Sequence, residues 1–318
     1  MATDDEDGGV VLPNFTSIPA DYPWFVNFDF EKNFDHAAKI GWFQRYWSSA
    51  FVFSAVYLVL IFGGQRFMKN RPRFELRLPL TLWSLTLAIY SWYCVFRSWG
   101  EFLHILRTYG WHATACDPIC FTSISGFWAW TFSLSKLAEL SDTAFIVLRK
   151  QKLIFLHWYH HITVLIYAWY SFGQCVAPGR YFVGVNCNVH AVMYSYYAAK
   201  AAKLFRIPRY VNIFITAFQT TQMFVGIMVN YYALRVLNAG GECSTNYRNI
   251  GVSFLMYLSY FILFLHFFYK AYFVRRDLKD NKCMDNTDDK GSSAANGHVA
   301  ITNGNGHVRD KKEIKKDL

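Results

Sequence analysis

Charged side chains are scarce in this sequence, because Asp, Glu, Lys and Arg make up only 17% of its 318 residues. A soluble globular domain normally carries about 25% charged residues, so the shortage argues against one. Hydrophobic residues reach 53% of the sequence and come in long blocks. A helix needs about 20 mostly apolar residues to cross a bilayer. Several blocks are that long, so the sequence predicts membrane-spanning helices.

Two further absences narrow the class of protein. No cleavable signal peptide is evident, because residues 1–22 are acidic and polar, and no internal repeat is evident. Basic residues outnumber acidic ones, which gives a net charge of +10. The Lys and Arg residues are concentrated in the loops between the apolar blocks and in the C-terminal tail. This placement is typical of membrane proteins rather than of proteins that bind nucleic acid.

The apolar blocks predict an all-α integral membrane fold with seven transmembrane helices. Lipid cannot satisfy backbone polar groups, so each crossing is expected to be a continuous helix. The predicted spans are 47–65, 79–97, 126–148, 153–172, 181–203, 208–234 and 250–273. They define a transmembrane domain of residues 47–273, preceded by a segment of residues 1–46 and followed by a tail of residues 274–318. The polar composition of residues 280–310 predicts disorder.

The basic residues predict the orientation in the membrane. Alternate loops are rich in Lys and Arg, and the loops between them hold few, chiefly Arg97, Arg107, Arg180, Arg235 and Arg248. The positive-inside rule therefore places the N-terminus in the lumen and the C-terminus in the cytosol. Asn14 begins a glycosylation sequon on the lumenal side. Lys315 and Lys316 resemble a dilysine signal for retrieval to the endoplasmic reticulum, with a merely basic tail as the alternative.

Three of the seven cysteines fall in predicted lumenal loops. Cys116 and Cys120 lie in one loop and Cys243 lies in another. Because the lumen is oxidising, a disulfide between the two loops is favoured. We predict the pair Cys116–Cys243, and free thiols throughout are the alternative.

Ionisable residues inside a span are candidate functional groups, because each costs about 2.5–3.5 kcal/mol at a helix centre on insertion scales. The third span contains Lys136, Glu139 and Asp142, whose spacing of three places them on one side of a helix. Glu139 can neutralise Lys136. An interior ion pair that fixes helix packing is therefore as good an interpretation as catalysis.

The fourth span contains three histidines within one helical turn. His157, His160 and His161 lie at positions i, i+3 and i+4, which share one helix face. A lone buried histidine is more often structural, but core packing does not explain three in one turn. We therefore predict a chemical role for them.

The fifth and sixth spans carry polar stripes at helical spacing. On the fifth span, Asn186 or Tyr194 could fix which nitrogen of His190 is free, and the tyrosines alone would be packing residues. The stripe on the fifth span is Asn186, His190, Tyr194 and Tyr197, and that on the sixth is Thr216, Gln219 and Gln222. The amides could bind a ligand or the histidines, or they could join helices to each other.

These four groups of residues resemble the motifs of the very-long-chain fatty acid elongase (ELO) family. Residues 136–143 match K-x-x-E-x-x-D-T, and residues 157–161 match H-x-x-H-H. Residues 190–197 match H-x-x-M-Y-x-Y-Y, and residues 216–222 match T-x-x-Q-x-x-Q. The resemblance covers about residues 25–275. Residues 151–161 lead into the second motif and include it. They are similar to the corresponding residues in the branch of the family that elongates saturated and monounsaturated long chains.

The resemblance implies a 3-oxoacyl-CoA synthase of the endoplasmic reticulum, which condenses a long-chain acyl-CoA with malonyl-CoA and releases CoA and CO2. It implies that six of the seven helices form a barrel around an acyl tunnel that opens to the cytosol, with the first helix outside. Malonyl-CoA would be the co-substrate, with no bound cofactor and no metal. The partners would be acyl-CoA, the bilayer, and the ketoreductase, dehydratase and enoyl reductase of the elongation cycle. A homodimer stays open, and nucleic acid is not expected.

Within this scheme each group of residues receives a role. His160 is the predicted nucleophile, because neutral imidazole can attack a thioester and its acyl adduct stays reactive. His190 would be the partner base, and His157 and His161 would orient and polarise the site. The supporting residues would be Lys136, Glu139, Asp142, Asn186, Tyr194, Tyr197, Gln219 and Gln222. A clamp for the CoA phosphates is predicted from Lys200, Lys203, Arg206, Arg209, Arg275 and Arg276, and for each one ordinary positive-inside charge is the alternative.

Two other classes of protein share some of these features. Membrane di-iron desaturases and hydroxylases also contain H-x-x-H-H, but an iron pair needs about eight histidines. Only five histidines lie in or near the spans here: His157, His160, His161, His190 and His266. Seven spans with an external N-terminus suit a receptor, and transporters also bury charges but often show internal repeats. Neither a receptor nor a transporter gives a reason for the three clustered histidines.

Overall fold

The structure of the protein is a computed structural model that describes residues 28–117, 124–204 and 206–274. Several predicted features lie outside these residues, namely Asn14, Cys120, Arg275, Arg276, Lys315 and Lys316. Described residues up to Leu265 belong to one compact unit, and a second unit begins at His266.

Within the described residues the regular structure is helical and contains no strand, which agrees with the all-α fold class. Two short helices come first, α1 (Asp29–Lys32) and α2 (His36–Tyr46). The other helices are α3 (Ser49–Met68), α4 (Arg77–Cys116), α5 (Ile124–Glu139), α6 (Asp142–Leu148), α7 (Phe155–Gly173), α8 (Gly179–Ala202), α9 (Arg209–Asn238) and α10 (Tyr247–Tyr269). A π-helical segment, Lys270–Val274, follows α10.

Four helical stretches are long and apolar enough to cross a membrane, namely Ser49–Met68, Arg77–Cys116, Arg209–Asn238 and Tyr247–Phe273. They leave large apolar side chains exposed, such as Val59 and Leu255, which are both 72% exposed. Extended apolar surface of this kind marks contact with lipid or with another protein. The protein is therefore a multi-pass membrane protein. Helix also occupies the other three predicted spans, as α5 with α6, α7 and α8, and the crossing of the membrane by all seven remains a prediction.

The prediction of one continuous helix over 126–148 is wrong, because α5 ends at Glu139 and α6 begins at Asp142. At the break, the N–H groups of Ser141 and Ala144 donate to carbonyls three residues earlier, at 3.0 Å in both cases. These tight turns keep the backbone polar groups paired where the helix is interrupted. The break also separates Asp142 from the side of α5 that carries Lys136 and Glu139.

Helix α4 continues to Cys116, far beyond the predicted end of the second span at residue 97. Its backbone leaves the helical conformation at Gly110, where φ is 83°, a value that glycine adopts without steric strain. The placement of Cys116 in a loop is therefore wrong, because the helix extends past the apolar run. For the same reason, arginines predicted in lumenal loops lie in helices instead: Arg97, Arg107, Arg180, Arg235 and Arg248.

A disulfide joins the end of α4 to the connection between α9 and α10. It links Cys116 to Cys243, which is the pair predicted from the sequence. The Ser244 N–H donates to the Cys116 carbonyl at 2.8 Å, and the Ala177 N–H donates to the Ser244 carbonyl at 2.8 Å. The guanidinium of Arg180 donates to three carbonyls at the end of α4, those of Ala113, Thr114 and Asp117. We call this region the disulfide end of the molecule.

A buried ion pair attaches the N-terminal helix α1 to α4. Glu31 on α1 is 3% exposed and accepts two hydrogen bonds from the guanidinium of Arg97 on α4. The indole N–H of Trp128 on α5 donates to the same carboxylate at 2.7 Å. Because every charge in this cluster has a partner, its burial is compatible with a stable fold.

The helix packing brings the predicted motifs together. Helix α4 lies along α8, and α7 contacts α5, α2 and α3. The α2–α7 contact is close at Gly173, where a Cβ atom would lie 3.1 Å from the backbone nitrogen of Gln44. Helix α3 also contacts α6, so the first long helix reaches the segment that carries Asp142 and Thr143.

Candidate active site

A largely apolar cavity lies among the long helices, and we call it the acyl cavity after the acyl tunnel that the family resemblance implies. Six helices contribute to its wall: α4, α5, α7, α8, α9 and α10. His160 and Ser171 both line it from α7, and at about 1.5 Å per residue they are about 16 Å apart along the helix. Arg180 also lines it, so the cavity runs from the histidine motif towards the disulfide end.

The half-buried His160 lies on the wall of the acyl cavity. Its ring centroid is 4.9 Å from that of Tyr260 on α10 and 5.6 Å from that of His161. The Tyr260 hydroxyl donates to the His160 carbonyl at 3.3 Å and lies 2.5 Å from the Thr163 hydroxyl. These contacts hold an aromatic side chain of α10 against the ring of His160.

The predicted pair between Lys136 and Glu139 is present at the end of α5. Lys136 is 1% exposed, and its ammonium donates to both carboxylate oxygens of Glu139, at 2.8 and 3.1 Å. A third bond at 2.9 Å goes to the side-chain oxygen of Asn186, which lines the acyl cavity. The ammonium therefore has three hydrogen-bond acceptors, which is what a buried ammonium requires.

The partner of His190 differs from the one predicted. The sequence analysis offered Asn186 or Tyr194 for this role, but Asn186 accepts from Lys136 and Tyr194 donates to Asp142. The Nδ1 atom of His190 instead lies 3.7 Å from Glu139 Oε1. The carboxylate therefore stands between a cation and an imidazole, hydrogen-bonded to the first and beyond hydrogen-bond distance of the second.

Asp142 lies apart from the Lys136–Glu139 pair. Its two carboxylate oxygens accept one hydrogen bond each, from the Trp83 indole at 2.6 Å and the Tyr194 hydroxyl at 2.6 Å. This separation follows from the break between α5 and α6. The carboxylate joins α4, α6 and α8 at one point.

His157 is bonded through the threonine that ends the first motif. Its Nε2 atom lies 2.9 Å from Thr143 Oγ1, which lies 2.7 Å from the Tyr57 hydroxyl on α3. The ring centroids of His157 and His161 are 4.5 Å apart. The buried Nδ1 atom of His161 has no hydrogen-bond partner among the described residues.

The residues of the last motif divide between two roles. Gln222 lines the acyl cavity, as Asn186 does, and a ligand-binding role for its amide stays a prediction. The amide of Gln219 instead donates to the sulfur of Met193 on α8 at 3.3 Å, which is a contact between helices. Tyr197 is 43% exposed and packs against the ring of Tyr194.

Two adjoining cavities lie at the opposite end of the helices from the disulfide, and we call them the mouth. They share the residues Leu80, Arg149, Gln151, Lys200 and Ala201. The smaller is basic, with Arg73, Arg77 and Lys203 also on its wall. The larger reaches Asp142, His157, Tyr194 and Tyr197. The mouth thus joins a basic surface to the histidine motif.

Some of the predicted clamp residues lie at the mouth and others lie elsewhere. Lys200 and Lys203 line it, whereas Arg206 and Arg209 are exposed near the start of α9. Arg77 donates to the carbonyls of Ala201 and Ala202, at 3.1 and 2.5 Å, so it anchors the end of α8. The cations shared by both mouth cavities are Arg149 and Lys200.

Comparison with known families gives the same result as the motifs. Residues 42–280 match the model described as ELO: GNS1/SUR4 family, which is well over half of the chain. This chain belongs to the ELO family. The four ELO motifs lie on the α5–α6 segment and on helices α7, α8 and α9.

Individual ELO relatives extend the match to most of the chain. The chain is 51% identical to very long chain fatty acid elongase 6 of Gallus gallus over 246 residues, 77% of this chain and 92% of the relative. It is 50% identical to the protein of that name from Homo sapiens over 246 residues, with the same shares. It is 47% identical to the protein of that name from Drosophila melanogaster over 266 residues, 82% of this chain and 81% of the relative. The protein is therefore a member of a family of fatty acid elongases.

Several residues of this ELO site were missed by sequence reasoning. Trp83 and Tyr57 bond the motif residues Asp142 and Thr143, and Tyr260 packs on His160. Aromatic residues make up 19% of the sequence, so no local signal separates these three from packing residues. Among the described residues, no group of three His, Cys, Asp or Glu side chains is arranged to hold a metal ion.

Proposed function

We propose that this ELO protein is a 3-oxoacyl-CoA synthase that condenses a long-chain acyl-CoA with malonyl-CoA. The observation that carries the proposal is His160, which lies on the wall of an apolar cavity extending about 16 Å along α7. The mouth supports it, because a basic surface suits the phosphates of CoA. Relatives named very long chain fatty acid elongase 6 support a long acyl chain.

The proposed membrane arrangement has seven spans, formed by α3, α4, α5 with α6, α7, α8, α9 and α10. The last six supply the wall of the acyl cavity, which supports a barrel of six helices with α3 outside. We place the disulfide end in the lumen of the endoplasmic reticulum, because disulfides persist in oxidising compartments. The basic mouth then faces the cytosol, as the positive-inside rule expects.

The first step of the proposed reaction transfers the acyl group to the protein. A neutral ring nitrogen of His160 attacks the thioester carbonyl, the carbon–sulfur bond breaks, and CoA leaves as a thiolate that takes up the N–H proton released by the acylated ring. The product is an acyl-imidazole with its chain in the acyl cavity. Covalent catalysis of this kind divides a difficult reaction into two easier steps.

The second step forms the carbon–carbon bond. Malonyl-CoA loses its carboxylate as CO2, and the electron pair left behind gives an enolate of acetyl-CoA. The enolate carbon attacks the acyl carbonyl, the carbon–nitrogen bond to His160 breaks, the departing ring nitrogen takes up a proton from solvent, and 3-oxoacyl-CoA leaves. This product is the substrate of a ketoreductase, after which a dehydratase and an enoyl reductase complete the cycle. No bound cofactor or metal is needed for either step.

The Lys136–Glu139 pair and His190 support these steps. Glu139 lies 3.7 Å from His190, beyond hydrogen-bond distance, so its effect on the partner base would be electrostatic. Lys136 keeps the carboxylate paired and bonds Asn186 on the cavity wall. A fixed arrangement of charges costs no reorganisation during reaction, which is the main source of electrostatic catalysis.

Charge reversal at the mouth is expected to weaken CoA binding. Lys200→Glu replaces an attractive charge on the wall of both mouth cavities with a repulsive one. We expect the KM for malonyl-CoA to rise about 10-fold with little change in kcat, which equals about 1.4 kcal/mol of lost binding. Initial rates at varied malonyl-CoA concentration measure the effect. Arg66→Glu, the same charge change on an exposed residue of α3, is the control, and equal KM values in the two variants would contradict the assignment.

The proposed activity is tested with purified protein in detergent or nanodiscs. Acyl-CoA substrates from medium to very long chain are each mixed with malonyl-CoA labelled at carbon 2. We expect labelled 3-oxoacyl-CoA that depends on both substrates, because no reductase is present to carry the product further. If no acyl-CoA of the panel yields labelled product, the proposal is wrong.

A further inference from the structure

Tyr57 connects α3, which lies outside the proposed barrel, to the histidine motif. Its hydroxyl lies 2.7 Å from Thr143 Oγ1, and Thr143 Oγ1 lies 2.9 Å from His157 Nε2. Tyr57 is 5% exposed and Thr143 is fully buried, so water does not compete for these bonds. Three side chains from α3, α6 and α7 therefore form one hydrogen-bonded chain.

Counting donors fixes the direction of this chain. In one direction, Tyr57 O–H donates to Thr143 and Thr143 O–H donates to His157 Nε2, so each hydroxyl proton has an acceptor. In the reverse direction, His157 Nε2–H donates to Thr143, Thr143 donates to Tyr57, and the Tyr57 proton needs another acceptor. The described residues offer the Tyr57 hydroxyl no second partner. A buried donor without an acceptor costs about 1–3 kcal/mol, so the first direction is favoured.

The geometry points to Tyr57 and Thr143 as positioning residues that fix His157 as the tautomer with its proton on Nδ1. In this tautomer Nε2 accepts from Thr143, and Nδ1–H is the one donor of the ring. His157 lines the larger mouth cavity together with Lys200 and Arg149, whereas His160 lines the acyl cavity. The two histidines therefore serve different substrates.

This inference rests on the proposed condensation and refines the role of one residue in it. The mouth is where malonyl-CoA would lie, and His157 is on its wall, so the remaining donor of the ring, Nδ1–H, would serve the thioester oxygen. That oxygen gains negative charge when CO2 leaves and the enolate forms. A donor aimed at developing charge lowers the barrier without any change in substrate binding. Tyr57 contributes only through Thr143 and His157.

The test uses single and double variants that remove one hydroxyl group each. We expect Thr143→Val to lower kcat about 30-fold, in the range found for residues that orient a functional histidine. Tyr57→Phe should lower kcat about 5-fold, because Thr143 can still donate but the opposite tautomer becomes accessible. The KM for malonyl-CoA should change less than about 2-fold in both, since the lost interaction acts in the transition state. Thr143→Ser keeps the hydroxyl and should stay within about 3-fold of the wild type.

The double variant gives a readout that packing effects would not produce. Tyr57→Phe acts only through the Thr143 hydroxyl, so adding it to Thr143→Val should cause no further loss of kcat. Independent structural effects would multiply instead. Ser54→Ala is the control on the same helix, because the buried Ser54 hydroxyl bonds only a backbone carbonyl, that of Ala50, among the described residues, and it should keep the wild-type kcat.

Several results would overturn the inference. They are a wild-type kcat in Tyr57→Phe, losses that multiply in the double variant, or a Thr143→Ser variant no more active than Thr143→Val. Rates are expressed per folded molecule, measured by size exclusion, and Tyr57→Phe with Thr143→Ser decide the question if Thr143→Val does not fold. An inactive wild-type protein would refute the condensation itself, whereas an active wild type with unaffected variants would refute only the positioning role.

Discussion

Replacing His160 with Asn is expected to lower condensation by about 10⁴-fold or more, which is the scale of loss when a catalytic nucleophile is removed. The His160 ring is the nucleophilic side chain on the wall of the acyl cavity in the proposed reaction. An amide cannot form the reactive acyl adduct that an imidazole forms. Formation of labelled 3-oxoacyl-CoA per folded molecule measures the loss. His266→Asn, the same change at an exposed histidine of α10, should leave the rate unchanged.

Intact-mass measurement tests the chemical reason for that loss. Incubation of the wild type with acyl-CoA alone should add the mass of one acyl group, and His160→Asn should show no adduct. A wild-type protein that extends acyl-CoA without ever carrying an adduct would rule out the two-step reaction. A His160→Asn variant with substantial activity would remove His160 from the mechanism altogether.

Among the substitutions proposed for this protein, Lys136→Met is expected to cause the largest loss of stability. Lys136 is 1% exposed and pairs with Glu139 and Asn186, so its removal leaves a buried carboxylate without a counter-charge. Breaking a buried pair in this way costs about 3–5 kcal/mol. We expect the Tm of the purified protein to fall by about 10 °C, measured by thermal unfolding in detergent.

The double variant Lys136→Met/Glu139→Leu separates packing from catalysis. With both charges gone, much of the stability should return, because an apolar pair of similar volume is often tolerated. Activity should stay low, because His190 has lost the carboxylate that lies 3.7 Å from it. Arg97→Met/Glu31→Leu is the matched control, a buried pair away from the histidines, and should keep its rate per folded molecule. Full activity in Lys136→Met/Glu139→Leu would show that the pair serves packing alone.

Features of the fold that depend on local pattern could be predicted from the sequence. Long apolar runs gave helices because lipid leaves the backbone no other partner. The spacing of Lys136 and Glu139 placed both on one side of α5, and their ion pair is present. The break at Leu140–Ser141 could not be predicted, because neither residue is a glycine or a proline.

Partners across helices were the least predictable part of the site. Asn186 and Tyr194 share a helix with His190 but bond residues of the first motif, and spacing along one helix says nothing about its rotation against another. Trp83 and Tyr57 lie in apolar spans rich in aromatic residues, so only their contacts distinguish them. Three cysteines in predicted lumenal loops suggested a disulfide to Cys243, but spacing did not decide between Cys116 and Cys120 as its partner or exclude free thiols.

The disulfide end also bears on whether the acyl chain stays bound to the protein between successive extensions. Cys116–Cys243 ties together segments 127 residues apart in the sequence, and Arg180 holds the end of α4 beside it. In the proposed reaction the acyl tail points towards the disulfide end, which is closed by these contacts. The lengthened product therefore leaves through the mouth, by which the substrate entered. Synthesis is then distributive rather than processive, and each two-carbon extension ends with dissociation.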